Sequence, residues 1–169
     1  MKKALILSDS HKAVDRMRAV TEKENPDIII HLGDHLSDAV KLKSEYPDIE
    51  MYYVLGNTDS QNDDEEWIKR VEICGWRILL THGNPTFLND SNLNEDLSEI
   101  FGKDGRCDDA DIILFGHIHA PYLTYRYDKW IMCPGHIGRS SRYNVPPTYG
   151  VMKISTEKIH WKIIEIDDD

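Results

Sequence analysis

Five apolar runs in this chain end in side chains that can ligate a metal cation. Asp9 and His11 follow Ala4-Leu5-Ile6-Leu7, and Gly33-Asp34 follows Ile28-Ile29-Ile30. Gly56, Asn57 and Asp59 follow Met51-Tyr52-Tyr53-Val54-Leu55, and Thr81-His82-Gly83 follows Ile78-Leu79-Leu80. Gly116, His117 and His119 follow Ile112-Ile113-Leu114-Phe115. The donors Asp9, His11, Asp34, Asn57, His82, His117 and His119 combine imidazole nitrogen with oxygen and include no thiolate. That mixture suits Mn, Fe, Zn, Ni or Co better than an all-oxygen cage for Mg or Ca. Seven donors are too many for one tetrahedral ion and match two ions sharing a carboxylate, roughly 3.5–4 Å apart. His117 and His119 alternate, so an extended backbone would turn both rings to one side. Alone, Asp9-x-His11 is a weak pair, Gly33-Asp34 and Gly56-Asn57 read as ordinary turn chemistry and Thr81-His82-Gly83 as a capped loop, while Gly116-His117-Ile118-His119 after an apolar strand is more specific. The recurrence at five strand ends carries the metal reading.

The segments before the donors must position them. Lys3–Ser8, Asp27–Leu32 and Met51–Leu55 read as short, continuously apolar strands. Between them, Lys12–Lys23 and Leu36–Tyr46 carry apolar residues at helical spacing. A β-α-β-α-β order with such strands predicts a parallel sheet covered on both faces. Functional groups gather beyond the carboxyl ends of strands in these sheets, which would bring the donors to one rim. The second half is richer in strands. Val71–Cys74 and Arg77–Leu80 form an expected hairpin about Gly75, and Asp111–Phe115 an expected buried strand. Tyr122–Tyr127 with Trp130–Cys133 reads as a second hairpin, and Thr148–Ile154 with Lys158–Ile166 as a final antiparallel pair. One helix is expected around Leu93–Phe101. So many strands predict a single α/β domain over 1–169, with two sheets packed face to face and helices outside.

The 169 residues carry a formal charge of −10. Binding of bulk nucleic acid needs clustered Lys and Arg, so it is excluded. One phosphate held through a metal is not excluded, because a bound cation reverses the local potential. Apolar runs of four or five residues cannot cross a bilayer, so a membrane is excluded too. Lys2-Lys3 precedes a run that breaks at Ser8-Asp9-Ser10, too early for a secretion signal. Cys74, Cys107 and Cys133 are odd in number and lack a Cys-x-x-Cys, so a reducing, cytoplasmic compartment is expected. A homo-oligomer is compatible with all of this. Asp63–Glu66 and the tail Asp167–Asp169 read as solvated charge.

As an ordered set, Asp9-x-His11, Gly33-Asp34, Gly56-Asn57, Thr81-His82-Gly83 and Gly116-His117-x-His119 resemble the calcineurin-like metallophosphoesterase superfamily. The short length and Gly56-Asn57-Thr58-Asp59 resemble its small prokaryotic phosphodiesterase branch. The resemblance runs from Leu5 to Pro134-Gly135 and implies a four-layer α-β-β-α sandwich of two packed mixed sheets flanked by helices. It implies that Asp9, His11, Asp34 and His119 hold one divalent transition metal, and Asp34, Asn57, His82 and His117 a second. Asp34 would bridge, and manganese is the leading ion. The implied reaction is hydrolysis of a small phosphodiester by a hydroxide between the ions, the metals stabilising charge on the phosphoryl oxygens.

Two positions depart from the wider pattern. Many superfamily members carry His directly after the Asn as proton donor to the leaving oxygen; this chain, like the branch, does not, having Thr58. The branch commonly has Asn-Pro-Gly-Ser where this chain reads Cys133-Pro134-Gly135-His136, which makes His136 the candidate catalytic acid, against a loop histidine in water. His31 is expected to be buried and hydrogen-bonded behind the ligands. His35 is expected to point outward at a helix start, His160 to lie at the surface, and Arg139 and Arg142 to be solvated rather than bound to phosphate. A phosphomonoesterase and a protein-interaction scaffold are the competing functions, since a retromer subunit resembles this fold. A scaffold would be expected to have lost ligands, and here every position keeps a competent side chain.

Overall fold

The computed structural model of the chain describes residues 1–60, 65–83, 109–126, 128–139 and 144–167. Its first half follows the expected order: β1 (Lys2–Leu7), α1 (Val14–Glu24), β2 (Ile28–His31), α2 (Leu36–Glu45) and β3 (Glu50–Tyr53). β1, β2 and β3 are parallel neighbours, with Leu5 level with Ile29 and Ile29 level with Met51. Ala4 and Ile6 face one way into a core with Ile30, Ile78, Leu80, Leu114 and Met132, and Leu5 and Leu7 face the other way onto Met17, Val20 and Leu42. Burial on both faces is why these strands read as continuous apolar runs rather than alternating ones. α1 begins two residues later than its periodicity suggests, because His11 and Lys12 stand in left-handed backbone, at φ 44° and 70°.

The second half supplies β4 (Ile68–Ile73), β5 (Trp76–Thr81), β6 (Ile112–Leu114), β7 (Pro121–Arg126), β8 (Lys129–Pro134), β9 (Thr148–Ile154) and β10 (Ile159–Glu165). Both expected hairpins are present. The first turns on Cys74 and Gly75, at φ 52° and 83°, the two positive values that a tight type I′ connection demands. Non-local pairing settles what sequence leaves open. The final pair joins the first sheet, β9 running antiparallel to β1, for an order β10-β9-β1-β2-β3; the second sheet runs β4-β5-β6-β8-β7. The two mixed sheets make the expected α/β sandwich. Both described helices cover the first sheet, giving three layers among the described residues. The helix expected around Leu93–Phe101, which would add the fourth, lies outside them. None of the described helices is long and apolar enough to cross a membrane.

Candidate metal centre

β1, β2, β3, β5 and β6 bring their carboxyl ends to one rim, and the seven expected donors follow those ends. Asp9 Oδ1 lies 3.1 Å from His119 Nε2, 3.8 Å from His82 Nε2 and 4.0 Å from His11 Nε2. Asp34 turns one oxygen to each side: Oδ2 is 3.8 Å from His11 Nε2 and Oδ1 3.4 Å from His82 Nε2. Asn57 Oδ1 is 3.0 Å from His82 Nε2 and 2.9 Å from His117 Nδ1. Asp9, His11 and His119 form one compact group, and Asp9, Asp34 and His82 another. Asp9 is thus common to both groups, and Asp34 reaches both with its two oxygens.

The donors fit divalent cations. His82 gives its Nδ1 hydrogen to Leu32 O at 2.7 Å, which leaves a lone pair on Nε2. That lone pair meets Asn57 Oδ1 and Asp34 Oδ1, and acceptor atoms so close repel one another without a cation or proton between them. Among the described residues, Asp9 Oδ1 and His11 Nε2 are buried without any hydrogen bond, a rare state for native polar atoms. Burial pushes the His11 and His117 rings below the ordinary histidine range, against the pull of Asp9 and Asp34, and so keeps them neutral as ligands must be. Burial pushes the Asp9 carboxyl up, but His119, His82 and the Ser8 hydroxyl together outweigh it and hold the group at about 2.

Groups behind the donors fix their directions. Asp9 Oδ2 accepts from Ser8 Oγ at 2.5 Å and from the His117 N–H at 3.1 Å, which leaves Oδ1 to the centre. Asp59 is no ligand: its oxygens accept the Gly56 and Leu36 N–H groups at 2.8 and 2.7 Å, tying the loop after β3 to the start of α2. Position 56 requires glycine, because a Cβ there would overlap Asp34. Buried Asp38 accepts from Ser10 Oγ at 2.7 Å and the Lys12 N–H at 2.8 Å, anchoring the loop that carries His11. Ser8, Ser10 and Asp38 carry no signal in the sequence, since a buried polar residue looks there like a solvated one.

Several expectations need correction. His117 and His119 are not in extended chain. They stand at φ 72° and 58°, as Asp9, His11 and Asp34 stand at 53°, 44° and 61°, and these left-handed kinks turn the rings inward. His35 does not point outward: at φ 62° its half-buried ring meets the edge of His11, the centroids 4.9 Å apart. His136 is neither solvated nor placed as an acid. It is buried, its two ring nitrogens face Gly138 O at 3.1 Å and Val145 O at 2.9 Å, and its ring lies 5.4 Å from that of His119. Neither nitrogen is left for a leaving oxygen. His160 is exposed, and Arg139 is exposed and ion-paired with Asp15; Arg142 lies outside the described residues.

His31 is buried, with Nε2 3.2 Å from Ser10 Oγ. The Ser10 hydroxyl hydrogen goes to Asp38, so His31 Nε2 donates and Nδ1 is left without a partner among the described residues. Burial drives this ring from 6.5 down to about 4. A histidine whose folded value is depressed opposes protonation, so its penalty is absent above pH 6.5 and grows as pH falls towards 4. At 1.36 kcal/mol per unit the loss is about 3 kcal/mol. Urea unfolding of the metal-free protein is therefore expected to show a fall of at least that size between pH 7 and pH 4, to which His11 and His117 add, and His31→Gln to make it shallower. An unchanged slope in the variant would clear His31 of the effect.

Residues 1–157 match the calcineurin-like phosphoesterase superfamily domain. A probable metallophosphoesterase of Mycoplasma pneumoniae is 28% identical over 159 residues, covering 94% of each chain. A phosphodiesterase of Methanocaldococcus jannaschii is 25% identical over 178 residues, covering 96% of this chain and 98% of its own. Among solved structures, Vacuolar Protein Sorting 29 from Cryptosporidium parvum shares the fold with a TM-score of 0.77 at 20% identity, over 99% of this chain and 92% of that one.

Proposed function

The chain belongs to the calcineurin-like phosphoesterase superfamily and is a metal-dependent phosphoesterase; from that premise we propose that it hydrolyses small phosphodiesters at a centre for two divalent transition-metal ions. The observation that carries the proposal is the crowding of acceptor atoms from Asp9, Asp34, Asn57 and His82, with Asp9 Oδ1 and His11 Nε2 buried without a hydrogen bond among the described residues. Asp9, His11, Asp34 and His119 would hold one ion and Asp34, Asn57, His82 and His117 the other, manganese being the first candidate. Bound there, the ions supply Lewis acidity towards the phosphoryl oxygens and make water a stronger acid. The chain's own part is to hold the donors before substrate arrives, through Leu32 O on His82, Ser8 on Asp9 and the Thr58 N–H on Asp34 at 3.0 Å.

Asn57 and Thr58 are exposed at the mouth, where a leaving group would depart. Threonine is no acid at neutral pH, so the enzyme is expected to favour diesters with acidic aryl leaving groups over alkyl ones. His136→Ser is expected to change turnover of aryl and alkyl diesters by one common factor, through His119; a loss confined to alkyl esters would restore His136 as the acid. Substrates are small because a charge of −10 repels a polyanion. Free Cys74 and Cys133 suit the reducing, cytoplasmic compartment that we assign.

The direct test is turnover of a panel of diesters and monoesters by protein reloaded with Mn, Fe, Zn or Mg. Diester hydrolysis, highest with Mn, is expected. Silence on every diester with every metal would refute the proposal, leaving a phosphomonoesterase if monoesters are cleaved and the scaffold reading if nothing is.

A further inference from the structure

Trp67 stands at the rim of the metal centre. β4 begins at Ile68, which pairs with Thr81, the residue before His82. Trp67 is the residue just before that pair, so its backbone adjoins the end of β5 that leads into His82. A second path reaches the same place. The Leu55 N–H donates to Glu66 O at 3.0 Å, so Trp67 also adjoins the chain that leads through Gly56 to Asn57. His82 and Asn57 are donors on one side of the centre, their Nε2 and Oδ1 atoms 3.0 Å apart. Trp67 therefore follows and precedes residues that are tied to the two chains leading into these donors.

The other tryptophans have structural work. Trp76 gives its Nε1 hydrogen to Ser155 O at 2.8 Å, and Trp130 and Trp161 pack together between the sheets with centroids 5.9 Å apart. All three are half-buried, whereas Trp67 is 41% exposed. Beside it, Lys69 is committed to the Tyr53 ring and to Glu65, but no hydrogen bond or ring contact engages Trp67 among the described residues. A large, flat, electron-rich surface kept in water next to a phosphate-handling centre is suited to one class of group. Nucleobases and other planar aromatics stack on indole with little regard to their hydrogen-bonding pattern.

We infer that Trp67 is a specificity residue, the platform on which a nucleobase-like aromatic group of the phosphodiester stacks while its phosphate lies at the donors. The inference rests on the proposed function for where the phosphate sits, and the charge of −10 confines the substrate to nucleotide size rather than a polymer.

The test is equilibrium binding to the metal-loaded protein, by calorimetry, of adenosine 5′-monophosphate and ribose 5-phosphate, which differ only in the base. The wild-type protein is expected to bind the first about tenfold more tightly, a ratio equivalent to about 1.4 kcal/mol and within the range of base–aromatic stacking. Trp67→Ala is expected to erase that ratio with ribose 5-phosphate unaffected, and Trp67→Phe to keep most of it. Equal affinities in the wild-type protein, or a ratio that survives Trp67→Ala, overturns the inference. Turnover of bis(p-nitrophenyl) phosphate by the same preparations reports separately on the proposed function: its absence with every metal condemns the reaction, not the platform.

Discussion

Alanine at His117 or at His119 is expected to lower metal-dependent phosphodiester hydrolysis by about three orders of magnitude and to leave the fold standing. The size follows from Lewis-acid assistance worth several kcal/mol, at 1.36 kcal/mol per tenfold in rate. The rings are placed to serve the centre and not the core. His117 Nδ1 meets Asn57 and His82, at 2.9 and 3.3 Å, and His119 Nε2 meets Asp9 Oδ1 at 3.1 Å. Each variant removes a donor from a different group, so each is expected to bind one ion fewer. Circular dichroism melts of the metal-free variants are expected to stay within about 3 °C of the parent, the shift that about 1 kcal/mol produces in a domain of this size. Near-normal turnover by either variant at a modest excess of metal would sink the two-ion assignment. A binding scaffold would have no turnover to lose.

Asp34→Asn is expected to take away one ion and at least as much activity. The two Asp34 oxygens serve opposite sides, Oδ2 towards His11 and Oδ1 towards His82. A carboxamide keeps one oxygen and turns an NH₂ group, which cannot ligate, to the other side. The Thr58 N–H, 3.0 Å from Oδ1, selects the orientation: the oxygen stays there and the NH₂ faces His11. The ion of the His11 group is therefore the one expected to be lost, and the charge shared between two cations goes with it. Metal counted per chain alongside the rate decides the matter. Two ions and most of the activity retained would mean that Asp34 does not bridge.

The strand order of the first half, both hairpins and the candidate donors are legible in the sequence for one reason. A strand buried on both faces writes itself as an apolar run such as Ile28-Ile29-Ile30, and donors follow where the run stops. Non-local facts are not written that way. That β9 pairs with β1 depends on contacts across more than a hundred residues. The inward turns of His35, His117 and His119 come from left-handed backbone, which no periodicity announces. His136 reads in the sequence as a candidate acid or a loop histidine in water, and it is neither, because the carbonyls of Gly138 and Val145 further along the chain face its ring nitrogens. Trp67 carries no signal in the sequence; the pairing of Ile68 with Thr81 is what brings its neighbour to the strand end that leads into His82.

The left-handed backbone at Asp9, His11, Asp34, His117 and His119 sets stability against chemistry in this protein. Each such residue with a Cβ costs about 1 kcal/mol over glycine, and five of them approach the lower end of a domain's net stability of about 5–15 kcal/mol. Directed evolution for heat resistance alone would find its easiest gains at the histidine codons of this set, His11, His117 and His119, with glycine or asparagine as the winning replacements. Its product would be a hardier protein that hydrolyses nothing, so any thermostabilisation campaign on this scaffold has to carry an activity screen from the first round.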